Sequence, residues 1–157
     1  MSVPLDVSGR ARGHGHGLLQ VGALLFLLGL LVGLGVPRFT VPRLALSTHL
    51  LGITQGTFLM VGGLLWPKLR LSRSASGIGR VLVIYGCVAA WTANLLGAVW
   101  GAGNSMVPMA AGAARGSVLQ EGVIRVLLMS AAVSLVSVTI IILWGLRVWP
   151  QADSDRQ

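Results

Sequence analysis

Four stretches of predominantly apolar residues, 17–36, 45–66, 81–100 and 123–148, dominate this chain. Crossing the hydrocarbon core of a bilayer takes about 20 such residues in a helix, and in lipid a helix satisfies all of its backbone polar groups internally. Each stretch reaches that length and stops at a recognisable end. The first ends at Pro37-Arg38, where proline removes a donor and a charge follows. The second ends at Trp66-Pro67-Lys68, the third at Trp100-Gly101-Ala102-Gly103 and the fourth between Trp144 and Trp149 around Arg147, each with an aromatic suited to the membrane interface. The expected fold is an all-α integral membrane protein, a four-transmembrane-helix bundle with both termini on the same side, because an even number of crossings returns the chain to where it began. The transmembrane domain, 14–149, is expected between a flexible N-terminal extension, 1–13, and a flexible C-terminal tail, 150–157, both short, polar and without periodicity.

With 54% hydrophobic and 10% charged residues, the composition excludes an ordinary soluble domain. The net charge of +8 does not point to nucleic acid, because the basic residues stand singly or in small groups between apolar runs. Topology explains them. Arg10, Arg12, Lys68, Arg70, Arg73, Arg80, Arg147 and Arg156 fall on one side of the bilayer, and Arg38, Arg43, Arg115 and Arg125 on the other. The excess of positive charge on the first side places both termini in the cytoplasm. The single cysteine, Cys87, sits inside an apolar run, which rules out a disulfide framework or a CxxC site and suits a packing residue. The Ser/Gly/Arg-rich stretch 70–79 reads as a flexible connector, whereas 101–117, rich in Gly, Ala, Met and Pro with Asn104 its main polar side chain, is apolar enough to fold back over the helix ends. The 22 glycines read as helix-packing residues.

Polar groups inside membrane spans are costly and so mark candidate sites. Here they are few: Gln20 with His14 and His16 at the mouth of the first span; His49, Thr54, Gln55 and Thr57 on the second; Tyr85, Thr92 and Asn94 on the third; Gln120, Glu121 and Arg125 opening the fourth. No carboxylate lies within a span, which disfavours a small proton-coupled exporter. Four crossings bring His49, Gln55, Asn94, Trp100, Asn104, Glu121 and Arg125 into the same half of the bilayer. They form either a polar pocket or a set of hydrogen bonds between helices. Glu121 and Arg125, spaced i, i+4, read as a structural ion pair at a helix N-terminus.

His49 is the sharpest of these residues. Imidazole is a common haem and transition-metal ligand, and the alternative is a histidine bonded to a backbone carbonyl. Gly52 and Gly56 continue its helical face and leave room for either a flat macrocycle or a close helix. His16 stands near the opposite membrane face, too far across a core of about 30 Å to share an iron. Any haem would therefore have one protein ligand and an open position, which suits Lewis-acid chemistry better than electron transfer.

The order and spacing of several short motifs resemble the hydroxylaminobenzene mutase family. They are His16-Gly17, Pro42-Arg43-Leu44 with Leu46 and His49, Leu65-Trp66-Pro67 with Leu69, Leu71 and Ser72, Tyr85-Gly86, Trp91 with Asn94, Trp100-Gly101-Ala102-Gly103, Met106 to Pro108, and Gln120-Glu121. The resemblance implies a membrane isomerase that converts hydroxylaminobenzene to 2-aminophenol. In layout the chain is also distantly similar to styrene oxide isomerase, a four-helix membrane enzyme in which a histidine near the start of the second helix binds ferric haem b at the contacts of a homotrimer. That likeness implies His49 as axial ligand, with Gly52 and Gly56 beside the cofactor. It implies Gln55 in place of a substrate-contacting asparagine, Asn94 or Trp91 where a pocket tyrosine stands, and Trp91 and Trp100 as aromatic walls for a small aromatic substrate. It further implies a bacterial inner-membrane location. Two other readings stand beside it, an epoxide isomerase and a structural or assembly subunit without catalysis.

Overall fold

The computed structural model describes residues 6–147, with side chains from Gly15 onward; the expected C-terminal tail lies outside the described residues. Helix α1 spans Asp6–Gly35, α2 Pro42–Leu65, α3 Arg73–Trp100, the short α4 Pro108–Ala111, and α5 Val118–Gly145, with 3₁₀ turns at Val36–Arg38 and Trp66–Lys68. Four of these helices are long and apolar enough to cross a membrane, so the chain is a multi-pass integral membrane protein. Helix α1 begins inside the stretch expected as an extension. Helix α3 begins inside the expected 70–79 connector because Ser72 caps it, its hydroxyl accepting from the Ala75 amide.

Without a hydrophobic driving force between helices in lipid, close packing of small residues must hold the bundle together. On α1, Gly15, Gly22 and Gly29 recur every seven residues, and on α2 the matching series is His49, Gly56 and Gly63. Gly15 abuts Gly63 and Gly22 abuts Gly56, so closely that a methyl group on either α1 glycine would lie 2.6–2.7 Å from the opposing carbonyl oxygen. Helix α3 packs on α2 and on α5, while α1 and α5 share no extended contact. The α3–α5 contact is again built on small residues: Gly86 meets Ser134 and Leu135, with Cys87, Ala93 and Ala131 buried around it.

Each end of the bundle is tied across several helices. At one end the buried Trp66, expected as an interfacial anchor, donates from Nε1 to Ser76 Oγ (3.0 Å), and the Arg70 amide reaches the Gly145 carbonyl. At the other end the Val41 amide bonds the Ala98 carbonyl, and Thr40 Oγ1 donates to Val99 O. Gly101 ends α3 at φ 66°, a left-handed conformation in which a side chain would be strained. Residues 102–116 then fold back over the helix ends, with Ala102 and Ala111 buried and α4 resting on α2.

Candidate active site

His49 takes the place of a third small residue in the α2 seam series, facing Gly29. Its Nδ1 lies 2.9 Å from the Gly29 carbonyl oxygen. A carbonyl can only accept, so Nδ1 is the donor, and in the neutral ring Nε2 carries the lone pair. Among the described residues the ring has no other polar partner. Space for the ring comes from Gly33, where a methyl group would overlap the imidazole, lying 2.7 Å from Cε1. Helical spacing puts Ala45 and Gly52 on the buried flank of His49 and Leu46 and Leu50 on its exposed flank, so the half-buried ring sits at the rim of the seam.

Gly52 and Gly56 both meet α1. A methyl group on Gly52 would lie 2.6 Å from Gly29 Cα, and one on Gly56 would lie 2.7 Å from both Gly22 O and Phe26 N. On the α3 side of Gly52 stands Trp91, 8% exposed, its Nε1 2.9 Å from the same methyl position. That indole N–H is buried without a hydrogen-bond partner, and so is Gln55 Oε1. Gln55 lies about 120° around α2 from His49, with Gly52 between them, on the flank of buried Thr48 and Leu59. Asn94 donates from Nδ2 to Ala90 O on its own helix (3.0 Å). Trp100 stands at the α3 terminus, 37% exposed. The structure thus gathers His49, Gly52 and Trp91 through shared contacts with Gly29 and Gly52, and records no such contact for Trp100. Thr48, Thr54 and Thr57 are satisfied by carbonyls of their own helix.

The expected Glu121–Arg125 pair does not form. Glu121 instead accepts from the backbone amides of Gly103 (2.9 Å), Asn104 (3.2 Å), Ser105 (3.0 Å) and Gly116 (3.4 Å), and Arg125 is exposed. An exposed i, i+4 ion pair is worth only a few tenths of a kcal/mol, whereas amide bonds to a carboxylate are charge-assisted and satisfy a loop that has no strand or helix to pair with. Ser117 and Gln120 complete a reciprocal capping box at the start of α5. Glu121 therefore braces the roof over the end of the bundle nearer His49.

Gly29 and Gly33 are the site residues that sequence reasoning missed. The seven-residue spacing shared by α1 and α2 was the available signal for Gly29. Gly33 completes a Gly-x-x-x-Gly spacing with Gly29, the small-residue pattern of close helix contact. None of the three principal cavities is lined by His49, Gln55 or Trp91.

Fold and site together define a class: a multi-pass membrane protein with a fixed imidazole at the seam of its first two long helices, towards one end of the bundle. Similarity to known proteins gives the particular family. The family model described as styrene oxide isomerase matches residues 15–147, and the chain belongs to that family. It is 46% identical over 133 residues to hydroxylaminobenzene mutase HabB of Ectopseudomonas oleovorans, covering 85% of this chain and 81% of that one. It is 42% identical over 129 residues to hydroxylaminobenzene mutase HabA of the same organism, covering 82% and 96%. No solved structure matches the chain. The protein is an isomerase.

Proposed function

We propose that this protein converts hydroxylaminobenzene to 2-aminophenol and that ferric haem b, held by His49, is its cofactor. The observation that carries the reading is the imidazole itself. Its Nδ1 is committed to the Gly29 carbonyl, which fixes the ring and leaves Nε2 as the ligating nitrogen at the rim of the seam. The reaction class comes from the family, and the substrate from the two mutase relatives.

The rearrangement breaks the N–O bond and forms a C–O bond at the ortho carbon; the proton lost there is balanced by one gained at nitrogen, so there is no net oxidation. Ferric haem, when bound, supplies a Lewis acid that draws electron density from the hydroxyl oxygen. The chain's own groups do the rest. Gln55 Oε1, buried and without a donor, accepts from the substrate N–H, and Trp91 Nε1 donates to the oxygen as charge builds on it. Asn94 Oδ1 is a second acceptor. The faces of Trp91 and Trp100 favour cationic character on the aryl nitrogen species. Apolar surroundings exclude water that would otherwise capture that species at other ring positions. The assembly is a homotrimer in a bacterial inner membrane, with both termini in the cytoplasm.

The test is an absorption spectrum of detergent-purified protein, followed by addition of hydroxylaminobenzene and detection of 2-aminophenol. A Soret band that shifts with substrate, with product formed and no reductant consumed, is the expected result. Product from a haem-free His49→Ala protein would discard the cofactor. Because the family model bears the name of an epoxide isomerase, styrene oxide is assayed alongside; turnover of it in preference to hydroxylaminobenzene would favour that second reading.

A further inference from the structure

Arg80 lies two turns inside α3, at the basic end of the bundle, and is half-buried. Among the described residues it has no hydrogen bond or ion pair. No carboxylate is within reach from the neighbouring helices: within 15–147 the only acidic residue is Glu121, at the opposite end of the bundle and committed to four backbone amides. The guanidinium is nevertheless held in a definite place, for it packs against Gly17 of α1, where a methyl group would overlap it and lie 3.2 Å from Cζ. A half-buried cation without a counter-charge among the described residues is suited to one from outside.

The same arginine lines the end of a groove of about 740 Å³ along the open face of α3. Beyond Arg80 the groove walls are Val81, Ile84, Val88 and Ala89 of α3 and Leu127 of α5, with Tyr85 and Thr92 also lining it. Tyr85 is held by a 2.7 Å hydrogen bond to Ser130 of α5. From Arg80 to Thr92 the helix rises about 18 Å, comparable with one leaflet of a hydrocarbon core of about 30 Å. A single positive charge at the membrane-surface end of an apolar trough one leaflet long matches an anionic phospholipid, phosphate at the top and acyl chain below.

We infer that the α3 groove binds one anionic phospholipid, its phosphate paired with Arg80 and one acyl chain lying along Val81, Ile84 and Val88. The site is separate from the His49 region.

The test is native mass spectrometry of the intact protein in mild detergent, titrated with phosphatidylglycerol and, separately, with phosphatidylcholine of the same acyl chains. The expected result is one retained phosphatidylglycerol per chain, bound about fivefold or more tightly than phosphatidylcholine, as one basic residue near the surface provides. Arg80→Gln should abolish that preference, Arg80→Lys should keep most of it, and Val88→Trp should weaken both lipids by filling the trough. Circular dichroism and gel filtration check that each variant is folded, and Val88→Trp with Arg80→Lys decides the matter if Arg80→Gln is not. Equal binding of the two lipids, or a preference unchanged in Arg80→Gln, overturns the proposal. So does efficient Val88→Cys cross-linking between copies that added phosphatidylglycerol does not reduce, because the groove would then be covered by another chain.

Discussion

Gly33 has no side chain because the His49 ring occupies the place where one would be. Gly33→Ala should therefore turn or expel the imidazole while leaving the helices assembled. If His49 holds haem as proposed, the expected readout is loss or a shift of the Soret band, with helical content and gel-filtration volume unchanged. A variant with wild-type haem content would remove Gly33 from the site. Trp91 allows a second test at this scale. Its indole N–H is buried without an acceptor, and an unsatisfied buried donor costs about 1–3 kcal/mol. Trp91→Phe should then be at least as stable to heat as the parent, and yet about tenfold slower on hydroxylaminobenzene if that N–H serves the substrate, the loss of about one hydrogen bond's worth of binding. Lower stability with unchanged turnover would make Trp91 a packing residue alone.

At the level of elements, two contacts have measurable consequences. The α1–α2 seam tolerates no side chain at Gly22 or Gly56, because a methyl group at either would fall 2.7 Å from backbone of the other helix. Gly56→Leu should separate the helices at a cost of about 1–3 kcal/mol or more, lowering Tm in detergent and loosening His49, which shares that seam. Glu121 acts on the loop that roofs the bundle. Removing a carboxylate that serves four amides strands those donors, so Glu121→Ala should destabilise the protein by about 2–3 kcal/mol, whereas Arg125→Ala should leave Tm nearly unchanged. A Tm for Glu121→Ala equal to that of the parent would mean that water satisfies the loop.

For the whole molecule, the two ends of the bundle differ in charge and in closure. One carries Lys68, Arg70, Arg73 and Arg80 around the buried Trp66, and the other is roofed by residues 101–117. With the basic end facing the cytoplasm, a membrane-impermeant maleimide applied to intact cells should label Ala113→Cys but not Ser72→Cys. Both positions are exposed, whereas the native Cys87 is buried and should stay silent. The reverse labelling pattern would invert the proposed topology.

Much of this was legible in the sequence because lipid leaves a chain few choices. Runs of about 20 apolar residues must be helices, so the four spans, their approximate ends and the shared half-bilayer of the polar residues follow from counting. A solitary histidine in such a span is visible for the same reason. Contacts between helices were not legible, since they depend on rotation and register, which apolar composition does not encode. Only the tertiary structure decided that Gly52 and Gly56 meet α1, and that the Gly29 carbonyl accepts a hydrogen bond from His49 Nδ1 while Gly33 makes room for its ring. It also turned Glu121 from Arg125 to the loop amides, because a carboxylate is held more firmly by several fixed backbone donors than by one exposed and flexible cation.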